Sequence, residues 1–228
     1  MYAGHFAPIL VLRRWFPNTS PYVFSIGVGV LDIIFGLLVS TGYEGFVKVA
    51  QEGTNYNELA IHCDYSHSLV GSILISYLYG LIVGSPLPGF IASFSHFVTD
   101  WLVHGPDLIL DPISKVVVGG TGLWHSHPKF AFLFEGLFCV AAGLYGDKDR
   151  WTLAANGFIF LTHISSVSLL PFFFGTIMDI EDVGTRQVMT SVAMVFAFTL
   201  PGLILGYFLN RSDNNNRHRR RIDTNKSH

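Results

Sequence analysis

Charged side chains are scarce in this sequence of 228 residues. Asp, Glu, Lys and Arg together make up 13% of it, while hydrophobic residues make up 50%. A soluble globular domain typically carries about 25% charged residues. With so few charges, most of the surface does not face water, and the positive mean hydropathy of +0.44 agrees. The composition therefore predicts an integral membrane protein and excludes an ordinary soluble domain.

Basic residues are also few, and they are unevenly placed. Six of the fourteen Lys and Arg residues lie within residues 211–228. The rest of the chain lacks the basic surface that nucleic-acid binding requires, so no nucleic-acid partner is expected. A short basic segment after an apolar span is typical of a cytoplasmic anchor or of a contact with anionic lipid. We predict a single polytopic membrane domain over residues 1–209 and a basic, disordered cytoplasmic tail over residues 210–228.

Cysteine is nearly absent. Cys63 and Cys139 are the two in the sequence, and they lie far apart. Two such thiols make neither a disulfide framework nor a zinc site of the Cys-x-x-Cys kind. They leave the redox compartment of the protein open.

Long apolar segments, by contrast, recur along the chain. A spanning helix needs about 20 mostly apolar residues, and six segments meet or approach that length. The predicted fold class is therefore an all-α integral membrane bundle of about six transmembrane helices. A shorter apolar segment, residues 4–16, is predicted to be an interfacial helix or a half-helix that dips into the bundle. The six predicted spans are residues 21–42, 66–84, 87–104, 130–146, 153–176 and 187–209.

The positions of Lys and Arg predict the orientation of the spans. The basic tail places the C-terminus in the cytoplasm, and counting back through six spans places Arg13 and Arg14 on the same side. Two long loops, residues 43–65 and 105–129, then lie on the opposite side. Loops of this length are usually functional or disordered. The acidic residues of the first loop are interpreted as solvated charges; they include Glu44, Glu52 and Glu58.

Several ionisable residues fall inside the predicted spans. Each costs roughly 2.5–3.5 kcal/mol at the centre of a spanning helix, and such residues are functional by default. Asp32 lies in the middle of the first span and His67 opens the second. The third contains His96, Asp100 and His104, and residues four apart share a helix face. This pattern favours a functional site over a polar network that only holds helices together.

Histidine and carboxylate side chains together are ligands for zinc and other divalent transition metals. The predicted cofactor is therefore a divalent metal ion, with zinc as one hypothesis. Other histidines carry weaker signals. His125 and His127 in the second loop are as well explained by solvation as by metal binding, whereas His163 is interpreted as a core residue. Asp107 could cap a turn or bind the metal.

The same residues stand in short motifs whose order is specific. The motifs are residues 4–7 (GHFA), 31–32 (LD), 65–69 (YSHSL), 95–104 (SHFVTDWLVH), 105–108 (GPDL) and 122–124 (GLW), followed by Glu135. In order and spacing they resemble the membrane-bound, metal-dependent hydrolase-like proteins of the YdjM type, a LexA-regulated inner-membrane group. The resemblance covers about residues 3–146. It departs at His125, where that family more often has Asn, and it does not extend to residues 150–228.

The resemblance implies a polar site of six residues: His5, Asp32, His67, His96, Asp100 and His104. We predict His5, His67, His96 and Asp100 as metal ligands. Asp32, His104 and Asp107 are the predicted catalytic groups, and Asp32 and His104 are also alternative ligands.

The predicted function is hydrolysis of a lipid-like or membrane-associated ester or phosphoester, in which the metal acidifies a water molecule. The expected partners are membrane lipids and a lipid-like or small-molecule substrate, and the oligomeric state is left open. One alternative is a proton or metal-ion transporter or channel that uses the same cluster. The other is a non-catalytic membrane scaffold.

Overall fold

The computed structural model describes residues 1–49 and 58–226, and within them the chain is mostly helical. A 3₁₀ turn at Ala3–His5 opens the fold. Two antiparallel hairpins are formed by β1 (Gly45–Val49) with β2 (Glu58–His62) and by β3 (Leu108–Ile109) with β4 (Val117–Gly119). The helices are α1 (Pro8–Trp15), α2 (Pro21–Gly27), α3 (Val30–Ser40), α4 (Leu69–Ile82), α5 (Pro86–Trp101), α6 (Leu123–Ser126), α7 (Pro128–Tyr145), α8 (Arg150–Ser166), α9 (Leu169–Met178) and α10 (Val183–Lys226).

Each predicted span coincides with one helix or with two consecutive ones. The first span is α2 followed by α3, which meet at 45°. The fifth is α8 followed by α9. By length and composition, α7 and the Val183–Asn216 part of α10 could each cross a membrane, as could the α2–α3 pair if it is one bent span. Within the described residues this supports membrane association through two or three spans, and the count of six stays a prediction.

The N-terminal segment lies inside the bundle. Ala3, Phe6, Ala7 and Ile9 are completely buried, and α1 packs against α2, α5 and α7. Of the two predicted alternatives, the structure therefore shows a short helix enclosed by its neighbours and not one lying on the surface. This placement brings His5 into the interior, because His5 ends the 3₁₀ turn just before α1.

The C-terminal segment differs from its prediction. Disorder was expected from residue 210, but α10 continues to Lys226. At its start this extension is anchored by Arg13, whose side chain is 6% exposed and contacts Ser212 and Asp213. A buried guanidinium must find acceptors, and the sequence pattern of the tail did not reveal that two of them lie there.

Large apolar side chains face outward over much of the bundle. Ile82 on α4 is 82% exposed, Leu137 on α7 is 69% exposed and Phe172 on α9 is 77% exposed. Extended apolar surface on a protein marks contact with a partner or a membrane. Together with the apolar length of α7 and α10, this surface agrees with membrane association.

Candidate metal centre

Five of the predicted site residues converge in the interior, and we call them the central cluster: His5, Asp32, His67, His96 and Asp100. They come from the 3₁₀ turn, from α3, from the residue before the N-cap of α4, and from α5. Their side chains are at most 13% exposed. The convergence predicted from the sequence is present for these five.

The ligand atoms of the central cluster lie within a few ångströms of one another. His96 Nε2 is 3.2 Å from Asp32 Oδ2 and 3.3 Å from Asp100 Oδ2. His67 Nε2 is 3.4 Å from His96 Nε2, 3.5 Å from Asp32 Oδ1 and 3.6 Å from Asp100 Oδ2. Two ligands held tetrahedrally at about 2.0–2.1 Å from one zinc ion lie roughly 3.4 Å apart. The spacing therefore fits a shared ion.

His5 lies on the other side of the Asp100 carboxylate. Its Nε2 is 3.2 Å from Asp100 Oδ1, and its ring stacks on that of His96 with the centroids 3.7 Å apart. The amino group of Met1 lies 3.4 Å from the same oxygen. Two overlapping triplets could hold a metal ion: His5, His96 and Asp100, and Asp32, His67 and His96.

The second ring nitrogen of each cluster histidine is engaged outside the cluster. His96 Nδ1 lies 2.6 Å from the Val28 carbonyl, which only accepts, so this nitrogen carries the proton and donates it. His67 Nδ1 lies 2.7 Å from Ser66 Oγ, and His5 Nδ1 lies 2.7 Å from Thr99 Oγ1. Histidines that bind metals almost always hydrogen-bond through the other ring nitrogen in this way. All three Nε2 atoms face inward.

Glu44 supports His67 from the first long loop. It is 4% exposed, so its interpretation as a solvated charge was wrong. Its Oε1 accepts from the main-chain N–H groups of Tyr65 and Ser66 at 2.7 and 2.8 Å, and its Oε2 accepts from Ser66 Oγ at 2.7 Å. Ser66 Oγ thus uses its hydrogen on Glu44 and accepts from His67 Nδ1. Burial raises the pKa of Glu44, and the hydrogen bonds from Ser66 and Tyr65 oppose that rise.

The supporting role of Glu44 was not predicted, because carboxylates in loops are usually exposed. The signal in the sequence was Ser66 beside His67, a residue that can link the histidine to a carboxylate. Of the other acidic residues of this loop, Glu52 lies outside the described residues, and so does the side chain of Glu58.

His104 does not join the central cluster. Helix α5 ends at Trp101, so the predicted stripe of three residues on one helix face was wrong for its last member. The cause is Pro106, which lacks an N–H and disfavours helical geometry in the residue before it. His104 Nδ1 instead bonds Asp107 Oδ1 at 2.9 Å, and the Asp107 side chain is 61% exposed.

Both partners of this pair titrate away from their usual range. Burial disfavours the charged imidazole, but the hydrogen bond to Asp107 and the charges of Asp100 and Asp107 raise the pKa of His104 overall. The same hydrogen bond lowers the pKa of Asp107. The pair forms a partly exposed contact beside the cluster, and Asp107 is not positioned there as a ligand.

A cavity of about 1170 Å³ opens beside the central cluster. Its polar end contains His5, Asp32, His67 and Asp100, and His104 also lines it. Most of the remaining wall is apolar, with Lys129 and Glu135 as charged exceptions. The apolar lining includes Phe35, Phe46, Phe132, Leu133, Val167, Leu170, Phe174, Met194, Ala197 and Phe198.

The remaining histidines are separated from the cluster. His125 lines the cavity, and His127 Nδ1 contacts Ser126 Oγ at 3.0 Å. His163 is buried, as its interpretation as a core residue requires, and stacks on Phe132. Its Nδ1, however, has no hydrogen-bond partner among the described residues. It is a core residue whose polar atom is not satisfied.

Comparison of the chain with family models, with curated proteins and with solved structures gives no match. The resemblance to the YdjM-type hydrolases therefore stays a prediction. The geometry itself establishes that the buried histidine and aspartate side chains could hold a metal ion.

Proposed function

We propose that this chain is a metal-dependent hydrolase of the membrane, related to the YdjM-type group, that cleaves a lipid-like ester or phosphoester. One observation carries the proposal. Three inward-facing Nε2 atoms and two carboxylates meet in a buried site. Among the described residues no Lys or Arg side chain contacts Asp32 or Asp100, and the Met1 amino group reaches Asp100 alone. A divalent cation would neutralise the two buried carboxylates.

The donor set fits such an ion. His67, His96, Asp32 and Asp100 would hold it through their facing atoms, while His5 steadies the second oxygen of Asp100. When bound, the ion would polarise the scissile group and lower the pKa of a water molecule. Val28, Ser66 and Thr99 keep the three rings oriented by accepting at Nδ1.

The cavity supports the proposed substrate class. Its mostly apolar lining beside the polar central cluster matches a molecule with an acyl chain and an ester head, since ligand sites are mostly apolar with a few convergent polar groups. The proposal includes six membrane crossings with a cytoplasmic C-terminus. The outward apolar side chains of α4, α7 and α9 support these crossings, and the basic tail supports the orientation.

Metal content tests the metal centre directly. Wild-type protein purified in detergent should carry about one equivalent of a divalent transition metal by elemental analysis, and the His96→Ala, Asp100→Ala double variant should carry almost none. His127→Ala is the matched control, because His127 lies outside the cluster. Wild-type protein without stoichiometric metal, or a double variant that retains it with unchanged helix content, would refute the proposal.

Turnover tests the reaction class. p-Nitrophenyl esters of short and long acyl chains and bis(p-nitrophenyl) phosphate, presented in micelles, should include one substrate that is hydrolysed. Chelation should abolish that hydrolysis and added metal should restore it. If metal binds but none is cleaved, the hydrolase assignment fails. Ion flux in liposomes that disappears in Asp100→Asn would then favour the transporter alternative.

A further inference from the structure

A second buried carboxylate–histidine pair stands at the wall of the cavity that the central cluster also lines. Glu135 on α7 is completely buried and lines the cavity. Its Oε2 lies 3.9 Å from Nδ1 of His163 on α8. Neither atom has a hydrogen-bond partner among the described residues. A buried polar atom without a partner destabilises the folded protein, so a merely structural role does not explain why this pair is present.

The other oxygen of Glu135 is fixed. Oε1 accepts from the Gly4 main-chain N–H at 2.7 Å, and Gly4 is the neighbour of His5 in the 3₁₀ turn. One side of the carboxylate is therefore tied to the segment that supplies the central cluster, and the other side is free. On α8, Ser166 follows His163 by one turn and also lines the cavity.

The spacing of the free atoms suits one small polar group between them. At 3.9 Å they are too far apart for a direct hydrogen bond, and a single oxygen atom at about 2.8 Å from each would bridge this separation. Phe132 stacks on the His163 ring at a centroid distance of 4.2 Å and holds it in place. A water molecule or a substrate oxygen at this point would contact Glu135 Oε2 directly.

Asp32 and His104, two of the predicted catalytic groups, already contact other side chains. Asp32 faces His67 and His96 within the central cluster, and His104 bonds Asp107. Among the fully buried carboxylate oxygens that line the cavity in the described part of the chain, Glu135 Oε2 is the one without a hydrogen-bond partner. We therefore propose that Glu135 is the proton-transferring catalytic residue of this site, with His163 bracketing the reacting oxygen; this inference rests on the proposed hydrolase function.

The proposed reaction is hydrolysis of an ester or phosphoester by one water molecule. Glu135 accepts a proton from a water molecule while the water oxygen bonds to the carbonyl carbon or to phosphorus. The bond from that atom to the leaving oxygen then breaks, and the oxygen keeps the electron pair. Glu135 returns the proton to the leaving oxygen, so one water is consumed and one acid and one alcohol are formed.

Glu135→Gln tests the role with little change in shape, because its amide oxygen can still accept from Gly4. Metal content and helix content should equal those of the wild type, while kcat should fall about 10²–10⁴-fold. With substrates of one acyl chain, the loss should be larger for an alkyl ester than for the p-nitrophenyl ester, whose leaving oxygen needs no proton. Glu181→Gln, at an exposed glutamate, is the matched control.

The outcomes separate this inference from the proposed function. Wild-type protein that hydrolyses no ester or phosphoester overturns both. Active wild-type protein with an equally active Glu135→Gln variant overturns the role of Glu135 alone. A variant that loses metal or helix content assigns Glu135 to the structure, and an equal loss for both leaving groups removes its role as proton donor.

Discussion

Two buried polar clusters in this molecule can be compared, one in the centre and one around Arg13. In the second, which we call the Arg13 cluster (Arg13, Thr152, Ser212 and Asp213), the guanidinium donates to Asp213 Oδ1 from Nε at 2.9 Å and from Nη2 at 2.5 Å. It also donates to Thr152 at 2.9 Å and to Ser212 at 2.6 Å. The central cluster brings together two carboxylates and three imidazoles with no such guanidinium.

The difference supports the proposal that the Arg13 cluster is structural and that the central cluster binds a metal. In the Arg13 cluster the positive charge is covalently part of the chain, so the network is complete as it stands. In the central cluster the facing groups are acceptors and imidazoles whose Nδ1 atoms are already engaged. Among the described residues, the Met1 amino group contacts Asp100 alone and no Lys or Arg side chain contacts either carboxylate. A buried network with this deficit of positive charge points to a bound cation. The predictions below test that division in order of decreasing effect.

Loss of Arg13 should produce the largest change. Arg13→Met leaves Asp213 without its guanidinium and should lower the free energy of unfolding by about 3–5 kcal/mol, as expected when one partner of a buried ion pair is removed. Arg14→Met is the control, since Arg14 is exposed and should cost less than about 1 kcal/mol. Denaturant titrations in detergent measure both. Equal losses in the two variants would show that the Arg13 cluster is not structural.

Metal addition should stabilise the wild type through the central cluster alone. At a free metal concentration of 100 times Kd, the gain in unfolding free energy should be about 2.7 kcal/mol. Asp100→Asn should abolish the gain, while Arg14→Met should keep it. The thermal midpoint with and without metal gives the comparison, and a gain that survives in Asp100→Asn would place the bound ion elsewhere.

Removing the charge of Glu44 should weaken metal binding without removing it. Glu44→Gln disturbs the hydrogen-bond chain through Ser66 to His67, and changes at such outer positions typically cost 10–100-fold in affinity. Asp111→Asn is the matched control, because Asp111 accepts from Ile113 and Ser114 in the second long loop without contacting the central cluster. Competition with a metal-sensitive dye measures both affinities. Equal affinities for the two variants would exclude Glu44 from the support of His67.

The smallest effect should be a pH-dependent one at His104 and Asp107. Because the folded protein raises the pKa of His104, the contribution of His104 is complete below its unfolded pKa of about 6.5. It is lost as pH rises through the folded value. The lowered pKa of Asp107 keeps that carboxylate charged above about pH 4. The pair is therefore fully charged near pH 5.5.

Asp107→Asn should destabilise the protein at pH 5.5 by a few tenths of a kcal/mol, since the contact is partly exposed and screened. At pH 8.5, where the His104 imidazole carries less charge than at pH 5.5, the difference from the wild type should be smaller. Thermal midpoints at the two pH values measure it. A variant that is more destabilised at pH 8.5 than at pH 5.5 would have the wrong sign.

Much of the helical framework could be predicted, because apolar runs of span length dominate the sequence and each falls on a helix or a helix pair. The number of membrane crossings stays a prediction, because α4 and α5, with 14 and 16 residues, are shorter than the roughly 20 residues that a straight span needs. Asp32, His67, His96 and Asp100 were predicted as one site because ionisable residues in apolar spans are functional by default. His5 was added only through the resemblance to the YdjM-type proteins. In the structure these five side chains lie together in one buried site.

The misses have separate physical causes. Glu44 lies in a loop, and nothing in its own neighbourhood predicts that the chain folds Tyr65 and Ser66 back onto it. His104 follows the expected four-residue interval and its N–H still bonds the Asp100 carbonyl, but α5 ends at Trp101 and the His104 side chain bonds Asp107 instead. The pairing of Glu135 with His163 joins two helices, α7 and α8, and pairing between helices is not encoded in the periodicity of either one.

The bend between α2 and α3 controls the hydrogen bond that orients His96 in the central cluster. The Val28 carbonyl at this bend accepts a hydrogen bond from His96 Nδ1. Because this carbonyl belongs to the main chain, replacing the side chain of residue 28 leaves the acceptor in place. Straightening the two segments into one regular helix would draw that carbonyl into the i→i+4 ladder and release the imidazole. The backbone conformation at the bend therefore fixes the tautomer of His96. A variant that alters this conformation would change both the orientation of the His96 ring and the affinity for the metal ion.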